Sequence, residues 1–217
     1  TKIANILGPS DIVSDANHIY SELGFYNTQI GQAELLDRSV LTNEGKRLIG
    51  DSLFYDRVKG YGEAFDNVIM TDTVNKNMLT GDYCYYNELT KYAFATKKAV
   101  VVDYSQGDSL FMHADTLQMY TYYLNTDSMF RETRAYHKAD VQGVCDSLVF
   151  SSKDSCLTMY YDPILWNNNQ QLLGEKIMIY MNDSTIDWAH IQNQALSVEQ
   201  LDSTSYNQVT GKEMKAW

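Results

Sequence analysis

Apolar and polar positions alternate along most of this chain, and the alternation restarts on a recurring cue. Gly50-Asp51-Ser52-Leu53-Phe54-Tyr55 returns as Gly81-Asp82-Tyr83-Cys84-Tyr85-Tyr86 and again as Gly107-Asp108-Ser109-Leu110-Phe111-Met112. Aligned on the acidic residue, the copies continue through Asp146, Glu175 and Lys212. The second and fourth residues after it are Leu53 and Tyr55, Cys84 and Tyr86, Leu110 and Met112, Leu148 and Phe150, Ile177 and Ile179, Met214 and Ala216. All are apolar or aromatic. The first residue is mostly polar: Ser52, Ser109, Ser147, Lys176 and Glu213. Side chains of period two stand on opposite faces of a strand, so each copy predicts a half-buried β-strand. The third position (Phe54, Tyr85, Phe111, Val149, Met178) is apolar too, so the outward face is not cleanly polar.

A second strand precedes each of these copies. Val40-Leu41-Thr42, Val68-Ile69-Met70-Thr71-Asp72 and Val100-Val101-Val102-Asp103 are β-branched runs closed by polar residues. Asn75-Lys76-Asn77 and Ser105-Gln106-Gly107 read as turns into the next strand. Ile30, Tyr61 and Tyr92 each precede an alanine by three residues, and those alanines, Ala33, Ala64 and Ala95, recur every 31 residues. Such a period predicts stacked units that bury their apolar faces on one another. The expected fold is one all-β domain over 1–217, with units beginning near 14, 50, 81, 107, 145, 174 and 211 and the last cut in mid-strand. The glycines before the acids predict a positive-φ turn or a close backbone approach at strand starts, with the carboxylates capping backbone N–H groups. Longer loops are expected after Leu117 and Pro163, and only Ser197 to Leu201 has a helical stripe.

Composition narrows the function. A net charge of −11 and a pI near 4.7 argue against nucleic acid as a partner. No apolar run reaches the ~18 residues of a membrane-spanning helix. The chain begins without an initiator methionine or a signal peptide, which reads as a removed leader or an excised segment. Three cysteines, Cys84, Cys145 and Cys156, cannot all pair with one another. A hairpin at Ser151-Ser152-Lys153-Asp154 would place Cys156 near Val149 and too far from Cys145 for a bridge, so buried thiols are expected. His18, His113, His137 and His190 lack ligand spacing, and Ser109 lacks the second glycine of a nucleophile elbow. No catalytic residue, metal or cofactor is assigned.

The Gly-Asp-x-Leu-x-Tyr strand and the Tyr-x-x-Ala approach combine with Asp66-Asn67-Val68-Ile69-Met70 and the following Leu79-Thr80-Gly81-Asp82. Together they resemble the OstA-like (LptA) family, over roughly Val13 to Trp217 and most strongly from Ile30 to Leu117. These proteins carry lipopolysaccharide across the periplasm of Gram-negative bacteria for outer-membrane assembly, and the same domain occurs in the periplasmic part of the translocon LptD. The resemblance implies an elongated, twisted, taco-like β-jellyroll whose inner seam accepts acyl chains. It also implies a periplasmic location, outer-membrane association, end-to-end stacking with similar jellyrolls, and self-association.

On that basis the seam would be lined by Leu53, Tyr55, Cys84, Tyr86, Leu110, Met112, Leu148, Phe150, Ile177 and Ile179. Lys46, Arg47, Arg57 and Lys59 are candidate phosphate contacts, although a solvated outer face accounts for them better. The function implied is non-enzymatic binding and transport of lipopolysaccharide or a similar amphipathic lipid. The alternative is a structural or adhesive repeat module that binds protein partners through its sheet edges.

Overall fold

The computed structural model describes residues 2–14, 17–106, 108–125, 128–140, 143–182 and 185–217, with side chains at 14, 17, 106, 108, 123–125, 128–131, 136–140 and 185 outside the description. The protein is all-β, and its strands pair antiparallel throughout. Two compact units divide it, Thr1–Ser105 and Gln106–Trp217.

The first unit contains β1 (Ile3–Ile6), β2 (Ser10–Ser14), β3 (Asn17–Ser21), β4 (Leu23–Asn27), β5 (Gln32–Asn43), β6 (Lys46–Asp56), β7 (Tyr61–Asp72), β8 (Asn77–Asn87) and β9 (Tyr92–Gln106). From β5 to β9 it is a meander, each strand bonded to the next. β3 and β4 lie end to end along β5 and act as one bent strand, and β2 and β1 pair with them in turn.

Every long strand bends at its middle. Strands β5, β7 and β9 bend on a pair of left-handed residues, Asp37-Arg38, Asp66-Asn67 and Lys97-Lys98, at φ between 51° and 60°. Strands β6 and β8 bend on Gly50-Asp51 and Gly81-Asp82, and the register gains one extra residue there on the strand with the left-handed pair. The step is three against two between β5 and β6 and between β7 and β8, and four against three between β7 and β6 and between β9 and β8. This is a β-bulge repeated in line, which creases the sheet into two limbs. One limb carries 32–36, 52–56, 61–65, 83–87 and 92–96; the other carries 39–43, 46–49, 68–72, 77–80 and 99–103. The acids thus lie at mid-strand, where the sequence pattern placed them at strand starts.

The crease explains the recurring Gly-acid pair. Neither Gly50 nor Gly81 has a positive φ. A Cβ on Gly81 would come within 3.0 Å of the backbone Thr96 O, a close approach that a side chain would crowd, and one on Gly50 would meet the movable Leu53 Cδ2 at 2.9 Å and Ser52 O at 3.2 Å. Across the outside of the crease, Asp51 accepts hydrogen bonds from Arg38 Nη1 (2.9 Å) and Asn67 Nδ2 (2.7 Å). Asp82 pairs with Lys98 Nζ at 3.2 Å. Each carboxylate reaches left-handed residues of a neighbouring strand, and Asp51 spans both its neighbours. A non-glycine residue in that conformation costs ~1–2 kcal/mol, and these bonds help offset it.

The second unit contains β10 (Asp108–Asn125), β11 (Ser128–Asp140), β12 (Gly143–Ser151), β13 (Cys156–Tyr160), β14 (Ile164–Asn167), β15 (Gln170–Leu173), β16 (Lys176–Asn182), β17 (Thr185–Gln200) and β18 (Tyr206–Ala216). Its creases repeat the device. Tyr161-Asp162 and Asn193-Gln194 are left-handed pairs, and Glu175 accepts from Asn193 Nδ2 and Gln194 Nε2, both at 3.0 Å. Glu175, the least conforming acid of the repeat, therefore does what Asp51 does. Gly107 and the Asp108 side chain lie outside the described residues.

Three local expectations change. Leu117 lies inside β10 and no loop follows it; Pro163 occupies the bend between β13 and β14; and Ser197 to Gln200 belongs to β17, with no helix among the described residues. Ala64 and Ala95 share one cross-strand row, but their counterpart on β5 is Leu35, two residues beyond Ala33.

Candidate functional site

The inward faces form cross-strand rows. Nearest the crease in the first unit, Leu35, Leu53, Ala64, Cys84 and Ala95 stand opposite one another in register and are buried. The next row outward on the same limb is Tyr26, Ala33, Tyr55, Gly62, Tyr86 and Ala93, in which tyrosine alternates with a small residue. The tyrosines are half-buried, while Ala33 and Ala93 between them are buried. On the facing limb the row is Leu41, Leu48, Met70, Leu79 and Val101, closed at Leu79 and Val101 and half-open at the first three. Exposure rises from the crease toward the limb ends.

In the second unit Leu117, Ala135, Leu148, Met159, Ile177 and Ile191 make one row, each 0% exposed. Thr133, Phe150, Leu157, Ile179 and Ala189 make the next, all buried. Met112 is buried and Leu110 half-buried on β10. Of the ten candidate seam residues, Leu53, Cys84, Met112, Leu148, Phe150, Ile177 and Ile179 are buried. Only Tyr55, Tyr86 and Leu110 reach partway to solvent. The sequence pattern did not single out Tyr26, Leu35 or Leu79, because their rows are set by register with strands ~20–30 residues away.

The outward face accounts for the apolar third position. Phe54, Tyr61, Tyr85 and Phe94 form a ladder of ring contacts with centroids 5.5 to 5.8 Å apart, and Phe65, Tyr83 and Phe94 form another at 5.2 and 5.5 Å. These distances suit aromatic pairs stabilising neighbouring strands. Burial, and the hydrogen bond the Tyr83 hydroxyl donates to Glu63 Oε1 at 2.5 Å, push the Tyr83 pKa up.

The four candidate phosphate contacts divide between two rims. Lys46 and Arg47 open β6 on one limb, and Arg57 and Lys59 lie in the turn that closes it on the other. Lys46 Nζ lies 5.7 Å from the Tyr86 ring centroid, so the limbs face one another across the inner rows. Lys59 Nζ is 3.8 Å from Asp56 Oδ2. Asp56 is buried beneath its turn, where Gln32 Nε2 and the Lys59 N–H each donate to it at 2.9 Å. Those bonds hold its carboxyl below the usual range, as Asn67 and Arg38 do for Asp51.

Reactive chemistry is sparse. Cys84, Cys145 and Cys156 are buried and none is recorded in a disulfide. Burial pushes the Cys84 thiol up to about 12. Cys156 pairs in register with Ser151, two residues from the position its turn suggested. His18 pairs with Asp11 at 2.7 Å and His190 with Glu213 at 3.1 Å; the His137 side chain lies outside the described residues. No group of three or more metal-ligating side chains occurs among the described residues.

Comparison with known proteins gives one family match, to the model described as "OstA-like protein", over residues 11–103. The match runs from β2 into β9, wholly within the first unit. No curated protein matches the chain. Among solved structures the chain is similar to LptH, described as the LptA homologous periplasmic component of the conserved lipopolysaccharide transport device from Pseudomonas aeruginosa. Identity is 11% and the TM-score 0.29, over 76% of this chain and 93% of that one. At that score the likeness carries no weight in the argument.

Proposed function

We propose, from the match of residues 11–103 to the family described as "OstA-like protein", that this protein takes part in lipopolysaccharide transport as a non-enzymatic carrier in the periplasm, serving outer-membrane assembly. The inner rows hold the acyl chains of lipid A or a similar amphipathic lipid. The observation that carries the reading is the graded interior of the first unit. It is closed at Leu53 and Cys84 and half-open at Tyr55 and Tyr86, where small residues separate the rings. A chain entering from the limb ends meets apolar surface at once, at ~0.8 kcal/mol per buried methylene, and needs no dedicated polar contact. Lys46 stands at that entrance beside Tyr86 and serves the anionic headgroup.

Site-specific photo-crosslinking tests this. A crosslinker at the half-buried Tyr86 should label lipopolysaccharide strongly, one at the buried Leu53 less, and one at the half-buried Leu110 should label it if the second unit's inner rows also take acyl chains. Groups at the outward Ser52, Tyr83 and Ser109 should label it least. Equal labelling from both faces, or none from either, overturns the carrier reading.

One observation favours a second reading, a structural or adhesive module. Strand β18 bonds β17 along one side, has no recorded partner on the other among the described residues, and is exposed over most of its length. An open strand edge is a template for another strand, from a similar jellyroll or from a second copy of this chain.

A further inference from the structure

The two turn-bearing edges of the first unit differ in chemistry. At one edge the turns after Asn27, Asp56 and Asn87 stack, tied by the Arg57 N–H to Gly31 O at 2.8 Å and the Glu88 N–H to Gly60 O at 2.9 Å. The start of β1 joins them through the Thr28 N–H to Lys2 O at 2.9 Å. Apolar side chains project from this edge into solvent: Ile3 at 48%, Ile30 at 49%, Val58 at 75% and Leu89 at 74% exposure. Lys2, Arg57, Lys59 and Lys91 are interleaved with them. The carboxylates of this edge are already engaged. Asp56 is buried under its turn, and Glu88 accepts from the Tyr55 hydroxyl at 3.3 Å.

The opposite edge, formed by the turns after Asn43, Asp72 and Asp103, carries one exposed apolar turn residue, Val74 at 70%, with Val13 of β2 exposed at 72% in register with His18 and Thr42. Three carboxylates, Glu44, Asp72 and Asp103, balance Lys46, Arg47 and Lys76 there, so this edge carries no excess of positive charge.

We infer that the first edge docks on an anionic lipid surface. In a chain of net charge −11, a row of apolar tips among four cations is the local exception. Seven strands at ~4.8 Å spacing, from β1 to β9, make the row about 29 Å long. That length admits several headgroups at once. Apolar tips that enter the acyl boundary while Lys and Arg meet lipid phosphates are how a protein lies on a bilayer without crossing it. The sheet presents its turns end-on, so the tips insert while the limbs stay in water. The inference uses turn residues and none of the inner rows, so it stands or falls apart from the carrier reading.

Flotation of the full chain with phosphatidylcholine vesicles, with and without phosphatidylglycerol, tests it. The protein should float only with the anionic vesicles and detach as salt rises. Arg57→Gln with Lys59→Gln should weaken binding ~fivefold per cation removed. Val58→Asp with Leu89→Asp should weaken it ~tenfold or more. Val74→Asp, on the opposite edge, should leave it unchanged. Circular dichroism and Tm would establish that each variant is folded, and the glutamine pair keeps the test open if the aspartate pair is not. The inference is overturned if the wild-type chain fails to float, if it floats equally with neutral vesicles, or if Val74→Asp is as damaging as the Val58 and Leu89 pair. It is also overturned if lipopolysaccharide labelling at Tyr86 falls in step with flotation, since the turns would then be acting through the seam.

Discussion

A glycine and an acid recur in this chain because a creased strand needs both. The glycine leaves room where neighbouring backbones close in, and the acid secures residues in a strained conformation on the strands beside it. Gly81→Ala should therefore destabilise the protein by ~1–3 kcal/mol, read from the denaturant midpoint, because the new methyl meets Thr96 O and Ala95 Cβ. Gly143→Ala should cost more, since its methyl would overlap Ile164 O, whereas Gly8→Ala, with nothing within 4 Å, should be nearly silent. Acid should weaken the creases. The Asp51 carboxyl is held below the usual range by Asn67 and then Arg38, and Asp56 by Gln32 and then the Lys59 N–H. Both pKa values are lower in the folded state, so as pH falls the unfolded chain takes up these protons first. Their stabilisation is complete above an unfolded pKa of about 3.9 and is lost as pH falls through the lower folded values. The Tm gap between wild type and Asp51→Asn should be widest near neutral pH and should close on acidification through that range.

Among the strands, inner rows replace single residues as the unit of packing. Leu148 touches the interior in a row whose six members are each 0% exposed. Leu148→Ala should cost ~2–5 kcal/mol in a denaturant titration, because so closed a row has little freedom to collapse onto the space left behind. The same closure protects the thiols. With Cys84 pushed up to about 12 and buried, a thiol reagent at pH 8 should label it only as fast as the first unit opens. Rapid labelling of the native protein would show that the crease row is accessible and would move the seam's entrance to the crease. The mixed Tyr55 and Tyr86 row is the weaker part of the packing. It is also where the carrier reading places the lipid.

For the molecule as a whole, strand content and charge are the measurable quantities. Far-ultraviolet circular dichroism should be dominated by strand, since the described residues contain no helix. With a pI near 4.7, solubility should be lowest close to that pH and recover on either side as net charge returns. The excess negative charge also gives the basic turn edge its meaning, because it makes approach to an anionic surface unfavourable from most directions.

The strands themselves were legible in the sequence, because period-two alternation is a local property of consecutive residues. Leu53, Cys84, Leu148 and Ile177 could be assigned inward for that reason, and Gly50-Asp51 and Gly81-Asp82 could be recognised as a repeated device. What the device does could not be read. Asp37-Arg38, Asp66-Asn67 and Lys97-Lys98 adopt one backbone conformation with no residue type common to all three, so nothing local marks them as partners of the acids. Nor could the rows be aligned. Ala64 and Ala95 stand two residues before their left-handed pairs and Ala33 four before its own, which is why Leu35 and not Ala33 matches Ala64. Composition and alternation settled that this chain is built of strands with one apolar face. Only the tertiary structure decided which residues meet across that face and where it opens, because register depends on contacts between residues far apart in the chain.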